Sequence, residues 1–131
     1  MTKNPITLTK NCSIKKAAEV FLENKIDGAP VINNNCEILG IFTKKHLMQA
    51  VVNNSENKKN VSDFMTSEVI TICETKTLEE AFNIEIGRLP VINKKNELVG
   101  IITRTDLVEA FFRKYRKTAQ EYDTILNYTH N

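Results

Sequence analysis

The chain has 131 residues, of which 41% are hydrophobic and 26% are charged, and its formal charge at pH 7 is +2. These values suit one compact globular domain or two small coupled ones, and the charge is too small to require a polyanionic partner such as nucleic acid. No apolar run approaches the roughly 20 residues that cross a bilayer, and the first residues have no apolar signal segment, so we expect neither a membrane span nor secretion.

The cysteines indicate a reducing compartment. Cys12, Cys36 and Cys73 are odd in number and form no C-x-x-C pair. This pattern argues against a disulfide framework and against a zinc site. We therefore predict a cytoplasmic protein that requires no metal or cofactor.

The first element predicted in the chain is a short strand at residues 6–9, where apolar and polar residues alternate. Ser13 follows as a suitable N-cap for a helix. The apolar residues after it have the spacing of one buried helix face: Ile14, Ala17, Ala18, Phe21 and Leu22.

Two further strands and a second helix complete this first half. Residues 30–32 and 37–42 are predicted strands on either side of an Asn-rich turn. The second helix begins near Thr43 and ends before residues 53–60, which contain no apolar residue and form the predicted linker.

The second half predicts the same order of elements. Residues 69–72 form the first strand, and Thr77 and Glu80 have the spacing of a capping box at the start of a helix. Residues 88–92 and 97–102 are the two following strands, and a last helix begins after them.

The two halves are copies of one unit. Residues 30–50 align with residues 90–110 at an offset of 60, with 10 identities in 21 positions. Upstream the offset is 64, so the second copy lacks four residues, about one helical turn, and its first helix should be about a turn shorter. The predicted division of the chain is repeat one at 1–52, a linker at 53–64, repeat two at 65–112, and a C-terminal helix at 113–131 that links to a following domain.

These motifs resemble the cystathionine β-synthase (CBS) repeat. The resemblance rests on the strands GAPVI and RLPVI, on the segments GIFTKKHL (residues 40–47) and GIITRTDL (100–107), and on the run VSDFM (61–65) before the second copy. It implies an α/β (α+β) fold of two β-α-β-β-α repeats packed sheet to sheet with pseudo-two-fold symmetry. Tandem CBS pairs (Bateman modules) bind AMP, ATP, S-adenosylmethionine or related ligands between the repeats, relay occupancy to an attached protein, and assemble as flat homodimers.

The resemblance places a ligand site in repeat two. Asp106 is expected to accept hydrogen bonds from ribose hydroxyls, while Thr103 and the amides of that helix start favour a phosphate. Arg88 stands where the family presents a basic residue to phosphate. A second interpretation needs no ligand, since Thr followed three residues later by Asp is a good helix start and Arg88 suits a solvated surface.

The adenine slot is expected from repeat one. Ile6, Ile26, Asp27 and Gly28 are its candidate residues, because a glycine allows the backbone to approach a flat ring. The alternative for Ile6 and Ile26 is a place in the hydrophobic core.

The equivalent second site in repeat one departs from the family pattern. His46 stands where Asp106 stands in repeat two, so this site lacks its ribose acceptor although Thr43 remains. His46 either contacts a phosphate or a different ligand, or is an exposed histidine in the first turn of a helix.

The C-terminal residues continue a helical pattern. Phe111, Tyr115, Thr118, Tyr122 and Ile125 have a/d spacing, which predicts a helix that pairs with another helix or packs on its own repeat. The last eleven residues are similar to the first helix of PAS domains. That similarity suggests the N-terminal part of a bacterial transcription activator with CBS, PAS and AAA+ domains.

Two functions compete at this point. The first is a regulatory module that senses an adenosyl ligand and signals to an attached output domain. The second is a dimerisation or interaction domain with a vestigial nucleotide site. A third class, a small enzyme, has no support, since the sequence has no Gly-rich phosphate loop, no H-E-x-x-H and no nucleophile motif. We predict no direct contact with nucleic acid, since no second basic element accompanies the basic start of the tail.

Overall fold

The computed structural model describes residues 1–54, 57, 59–84, 87–116 and 124–125, with the backbone alone for residues 114–116. The chain divides into two compact units. One unit contains Ile6–Val69, and the other contains Ile70–Asn131 together with Met1–Pro5. The elements of the whole chain follow in sequence order. The first half contains strands β1 (Thr2–Lys3) and β2 (Leu8–Thr9), helix α1 (Ile14–Asn24), strands β3 (Gly28–Ile32) and β4 (Ile38–Thr43), helix α2 (Lys44–Val52) and a 3-10 helix (Val61–Asp63). The second half contains strand β5 (Ile72–Cys73), helix α3 (Leu78–Phe82), strands β6 (Arg88–Ile92) and β7 (Leu98–Thr103), and helix α4 (Arg104–Arg116).

The two units have the same strand arrangement. In the first, β2 lies parallel to β3, and β3 pairs antiparallel with β4. In the second, β5 lies parallel to β6, and β6 pairs antiparallel with β7. The registers correspond at the offset of 60, because Gly28 pairs with Thr43 as Arg88 pairs with Thr103. The predicted α/β (α+β) class and the β-α-β-β-α order of each repeat are confirmed.

The first helix of each repeat begins with the predicted cap. The Ser13 hydroxyl accepts from the Lys16 amide at 3.0 Å, and the Thr77 hydroxyl accepts from the Glu80 amide at 3.2 Å. The Glu80 carboxylate in turn accepts from the Thr77 amide at 2.8 Å, which completes the capping box. Helix α1 has 11 residues and α3 has 5, so the second is shorter, as expected from the deletion, and by more than one turn.

Each unit has its own hydrophobic core. One face of α1 packs on the first sheet, and the core there consists of Leu8, Ile14, Ala17, Phe21, Ala29, Val31, Phe42, Ala50 and Val61. The core of the second unit consists of Met1, Ile72, Leu78, Ala81, Leu89, Val91, Ile102, Ala110 and Ile125. Val61, in the predicted linker, is fully buried in the core of the first unit.

The first strands differ from the prediction. Residues 6–9 were expected as one strand, but only Leu8–Thr9 pairs, and it pairs with Val31 and Ile32. An additional strand, β1, lies earlier in the chain and pairs antiparallel with β7 at Ile101. This strand begins repeat one in the sequence but completes the sheet of repeat two.

The same arrangement occurs in the other unit. Thr66 at the start of repeat two bridges to Ile41 of repeat one, with the Ile41 amide donating to the Thr66 carbonyl at 2.9 Å. In both places a methionine side chain lies over a glycine of the partner strand. A Cβ on Gly100 would clash with the Met1 sulfur, and one on Gly40 would lie 2.6 Å from the Met65 sulfur. The glycine of the G-h-h-T motif therefore makes room for this methionine.

The chain returns to repeat two after α4. Thr124 bridges to Thr77, and the Ile125 amide donates to the Lys76 carbonyl at 3.0 Å. Ile125 is fully buried in the repeat-two core. The prediction of a helix with an a/d stripe that reaches Ile125 is therefore wrong at that residue, because its backbone hydrogen-bonds to the α3 cap. The other tail residues after 116 lie outside the described residues.

Candidate functional site

The best candidate site is the start of α4, where a strand ends and a helix begins. The Thr103 amide donates to Asp106 Oδ2 at 2.8 Å, and the Asp106 amide donates to Thr103 Oγ1 at 3.3 Å. Asp106 is buried, with 2% of its surface exposed, and it is the single buried charged residue in the part of the chain that the structure describes. The sequence pattern thus forms a capping box whose negative charge lies against the positive end of a helix dipole.

Two arginines lie close to this helix start. Arg88 begins β6, is half-buried, and is directly opposite Thr103 in the β6–β7 register. The Arg104 side chain approaches Gly87, where a Cβ added to the glycine would lie 3.7 Å from Arg104 Nε. A guanidinium group that reached the helix amides and the threonine hydroxyl would suit a phosphate. The structure therefore brings Arg88, Thr103 and Asp106 together in one unit.

The equivalent position in repeat one holds a histidine instead of a carboxylate. The Thr43 amide donates to His46 Nδ1 at 3.0 Å, and Thr43 Oγ1 lies 3.1 Å from the same nitrogen. His46 Nε2 lies 3.2 Å from Thr66 Oγ1. Because Nδ1 accepts from an amide, the ring hydrogen belongs on Nε2, which donates to the threonine hydroxyl.

His46 is therefore a capping residue of α2. Burial, with a smaller contribution from the Lys45 charge, holds the pKa of His46 below its usual value, which favours the neutral ring that can accept from Thr43. The ring also packs against Phe42, with the centroids 5.8 Å apart. The predicted contact of His46 with a phosphate stays a prediction, and both ring nitrogens already have protein partners.

The candidate adenine-slot residues all belong to the unit of repeat one. Gly28 is buried and pairs with Thr43, while the Asp27 carbonyl accepts from the Lys44 amide at 2.9 Å. Ile26 is half-buried against the repeat-one core, which agrees with the core alternative. Ile6 is 39% exposed and precedes β2. Their role in an adenine slot stays a prediction.

Two residues near these helix starts were missed by the sequence reasoning. Arg104 follows Thr103 directly, and its basic character beside a predicted phosphate site was the available signal. Thr66 is hydrogen-bonded to His46 from 20 residues away, and no local pattern indicates that pairing.

Neither metal sites nor membrane spans are found among the described residues. Those ranges hold no group of three or more His, Cys, Asp or Glu side chains that is suited to a metal ion. They also hold no helix with the length and apolar character that a membrane crossing requires.

Comparison with known proteins gives consistent matches to one family. The CBS domain model matches residues 1–53 and 61–113. The chain is 32% identical over 126 residues to an inosine-5'-monophosphate dehydrogenase of Aquifex aeolicus, a match that covers 92% of this chain and 25% of the dehydrogenase. This chain also matches two uncharacterised proteins of Methanocaldococcus jannaschii at 32% and 30% identity, and the matches span 37% and 40% of the lengths of those proteins.

Solved structures of similar size share the fold. The CBS-pair protein CBSX2 of Arabidopsis thaliana superposes with a TM-score of 0.78 at 26% identity, covering 89% of this chain and 94% of that one. CBSX2 in complex with AMP gives a TM-score of 0.76 at 28% identity, covering 88% and 95%. The CBS domain pair of protein MJ0100, in complex with 5'-methylthioadenosine and S-adenosyl-L-methionine, gives 0.72 at 28% identity, covering 86% and 91%.

The two matches to the family model cover most of the chain and coincide with the two copies found in the sequence. The folds of the two units and their agreement with CBS-pair structures support the same assignment. The chain therefore belongs to the CBS-domain family and is a tandem pair of CBS repeats.

Proposed function

We propose that this CBS pair is a regulatory sensor of an adenosyl ligand, bound at the start of α4 in repeat two. The observation that carries the proposal is the alignment of Arg88 with Thr103 and Asp106 at the amino end of a helix. Two solved relatives support the ligand class, since one was determined with AMP and another with 5'-methylthioadenosine and S-adenosyl-L-methionine. ATP is a third candidate ligand.

Each residue has a distinct role in this proposal. Asp106 accepts from the ribose hydroxyls, for which its negative charge makes it a strong acceptor. Thr103 and the first amides of α4 hold the phosphate of a nucleotide, and Arg88 neutralises its charge. With Asp106 only 2% exposed, a bound ribose must displace some of the atoms that cover the carboxylate.

A thermal-shift panel with AMP, ADP, ATP, S-adenosylmethionine and NAD tests the ligand class. A ligand at 100 times its dissociation constant adds about 2.7 kcal/mol to the free energy of unfolding. We expect at least one adenosyl compound to raise the melting temperature. If none of the five does so at millimolar concentration, the sensor function is rejected in favour of the alternative below.

A substitution at Arg88 tests whether this side chain interacts with the phosphate of the ligand. Arg88→Gln should weaken AMP binding about tenfold or more, since hydrogen bonds to charged groups contribute about 1.5–3 kcal/mol. Arg113→Gln is the matched control, because it removes the same charge from the exposed side of α4 in the same unit. Equal affinities in the two variants, measured by calorimetry, would remove Arg88 from the site.

The alternative function is a dimerisation or interaction domain with a vestigial site. It is favoured by His46, whose ring nitrogens bond to Thr43 and Thr66. Exposed apolar residues recur on the last helix of both repeats at the offset of 60: Met48, Val51 and Val52 on α2, and Val108, Phe111 and Phe112 on α4. These residues also support homodimerisation as part of the sensor function. Sedimentation of the full chain at tens of micromolar should show a dimer, and a strict monomer would exclude this assembly.

The signalling output rests on the resemblance alone. We propose that the pair regulates an attached domain in the reducing cytoplasm, with transcription activators of the PAS and AAA+ type as the candidate context. The tail residues with PAS similarity lie outside the described residues, apart from Thr124 and Ile125. Ligand-dependent activity of a protein containing this pair with its natural neighbouring domains tests the proposal, and activity that ignores the ligand would refute it.

A further inference from the structure

Two residues that follow α4 fasten the chain to the first helix of the repeat-two unit, and we call Thr124 and Ile125 the return segment. Thr124 forms an antiparallel bridge with Thr77, the N-cap of α3, and the Ile125 amide donates to the Lys76 carbonyl at 3.0 Å. The Ile125 side chain is fully buried. The attachment thus combines a backbone hydrogen bond with the complete burial of an aliphatic side chain, which water would otherwise surround.

The repeat-one unit holds the chain after α2 in the same way. Asn60 bridges to Ser13, the N-cap of α1, and the fully buried Val61 donates its amide to the Cys12 carbonyl at 2.9 Å. Each of these contacts lies 64 residues before its counterpart in repeat two, and 64 is also the offset between the first helices. The return segment is therefore a second copy of the connector that leads from repeat one into repeat two.

The length of α4 preserves the spacing of this second copy. Helix α4 has 13 residues and α2 has 9, so the offset is 60 where the two helices begin and 64 where they end. The four additional residues are about one helical turn. Eight residues then separate each helix end from the buried aliphatic residue, Val61 in one unit and Ile125 in the other. The extra turn of α4 thus allows Ile125 to occupy the position at α3 that Val61 occupies at α1.

The core that holds Ile125 also supports the proposed ligand site. Three members of this core stand beside the three site residues or one helical turn after them: Leu89 after Arg88, Ile102 before Thr103, and Ala110 after Asp106. Coupling between separate positions in a protein is carried by contiguous packed side chains and rigid secondary elements. One hydrophobic core therefore connects the start of α4 with the return segment.

We propose that the return segment is the output relay of the sensor, seated more firmly when an adenosyl ligand is bound and released more often when the site is empty. The inference rests on the proposed function and names the element through which occupancy leaves the module. A ligand that fixes Arg88, Thr103 and Asp106 favours the packed arrangement of the adjoining core, and Ile125 belongs to that arrangement. The connector at Val61 has no such role, because its unit carries His46 in place of the carboxylate.

Amide hydrogen exchange of the unmodified full chain tests whether the return segment responds to the ligand. A segment that opens locally exchanges faster than amides that exchange only when the whole unit unfolds. We expect the Ile125 amide to exchange faster than the hydrogen-bonded amides between β6 and β7. Saturating AMP should slow the Ile125 amide about fivefold or more, and it should slow the Val61 amide less.

Three exchange results would overturn the relay. The Ile125 amide would exchange no faster than the amides between β6 and β7, it would not respond to AMP, or AMP would slow the Ile125 and Val61 amides by the same factor. The first result shows that the segment has no opening of its own. The other two show that its opening is not linked to the ligand.

The reciprocal effect on affinity is measured by calorimetry. Because linkage is symmetric, Ile125→Ala should weaken AMP binding about fivefold or more. Ile125→Val introduces the residue type of repeat one and should weaken binding less. Val61→Ala is the matched control, since it truncates the equivalent residue in the unit without the proposed site, and it should leave the affinity unchanged. Circular dichroism and melting confirm that each variant is folded, and Ile125→Val carries the comparison if Ile125→Ala does not fold.

The affinities separate failure of the relay from failure of the sensor. The same AMP affinity in the parent and in the folded Ile125 variants would overturn the relay while leaving the sensor intact. Equal losses in Ile125→Ala and Val61→Ala would also overturn it, because a general loosening of the chain would then account for both. A parent chain that binds no AMP would remove the relay and the sensor together.

Discussion

Helices α2 and α4 begin at equivalent positions but use different acceptors. At α4 the Asp106 carboxylate accepts from the Thr103 amide at 2.8 Å, and at α2 the His46 ring nitrogen accepts from the Thr43 amide at 3.0 Å. Both arrangements satisfy a backbone donor that would otherwise lack a partner. The helix start therefore needs an acceptor three residues after the threonine, but it does not need a negative charge.

This difference allows the role of these residues in helix capping to be distinguished from a role in ligand binding. A ribose acceptor of the proposed kind needs the carboxylate, which is present in repeat two and absent from the equivalent position of repeat one. His46 retains the cap and adds a hydrogen bond to Thr66, which leads into the second repeat. We therefore expect changes at the two positions to have similar effects on helix capping and very different effects on ligand binding.

The largest expected effect is on affinity. Asp106→Asn keeps an oxygen that accepts from Thr103 but loses the charge, and it should weaken AMP binding by about 1.5–3 kcal/mol, or roughly 10- to 150-fold. His46→Asn makes the corresponding change in repeat one and should leave the affinity unchanged. Calorimetry on both variants, each shown to melt near the parent, measures this contrast. Equal losses of affinity would show that the two positions are equivalent in binding.

The glycines of the two G-h-h-T motifs should show a smaller contrast in stability. Gly40→Ala and Gly100→Ala each place a Cβ against a methionine sulfur, and overpacking of this kind costs about 1–3 kcal/mol. Gly40→Ala should be worse, because its Cβ would also lie 2.6 Å from the Thr66 carbonyl, compared with 2.9 Å from the Thr2 carbonyl for Gly100→Ala. Urea unfolding gives both values. Stability equal to the parent in both variants would contradict the packing of the two methionines.

His46→Asp should make repeat one resemble repeat two. A carboxylate in the first turn of α2 accepts from Thr43 and interacts favourably with the helix dipole, which contributes about 0.3–1 kcal/mol. Loss of the bond to Thr66 opposes this gain, so the net change in unfolding free energy should be within about 1 kcal/mol of zero. A loss of several kcal/mol would show that the bond to Thr66 matters more than the cap.

The smallest effect is a pH dependence carried by repeat one. Burial lowers the pKa of His46 in the folded protein, so the unfolded chain takes up this proton more readily. The neutral His46 ring contributes fully to the stability of the folded protein above the pKa that it has in the unfolded chain, about 6.5. This contribution is lost as the pH falls through the lower pKa that it has in the folded protein. Urea unfolding should show that the free energy of unfolding of the parent decreases as the pH is lowered from 7.5 to 5.5. The decrease should be smaller in His46→Asn. The same slope in both would exclude His46 as its source.

The strands and helix caps that were predicted correctly are those determined by short-range patterns or by the repeat. Strand Arg88–Ile92 has its predicted bounds, and the capping boxes at Thr77 and Thr103 follow from residues three apart. The role of His46 was within reach of the same rule, since it occupies the box position that Asp106 occupies in repeat two. An imidazole nitrogen acts as the acceptor there, a possibility that the residue types alone did not suggest.

Pairings between distant residues were beyond the local patterns. The exchange of Met1–Thr2 and Met65–Thr66 between the repeats, and the return of Ile125 to the α3 cap, each depend on where the chain goes after a helix ends. Periodicity assigned Ile125 to a helix because its spacing from Phe111 fits one. The burial that decides its place comes instead from the repeat-two core.

The number of AMP molecules bound per chain tests the central claim most directly. If Thr103, Asp106 and Arg88 form the site, and if His46 has removed the equivalent one, calorimetric titration of the parent should give one AMP per chain. Two equivalent sites per chain, or one site that Asp106→Asn leaves unchanged, would contradict the assignment of ligand binding to repeat two.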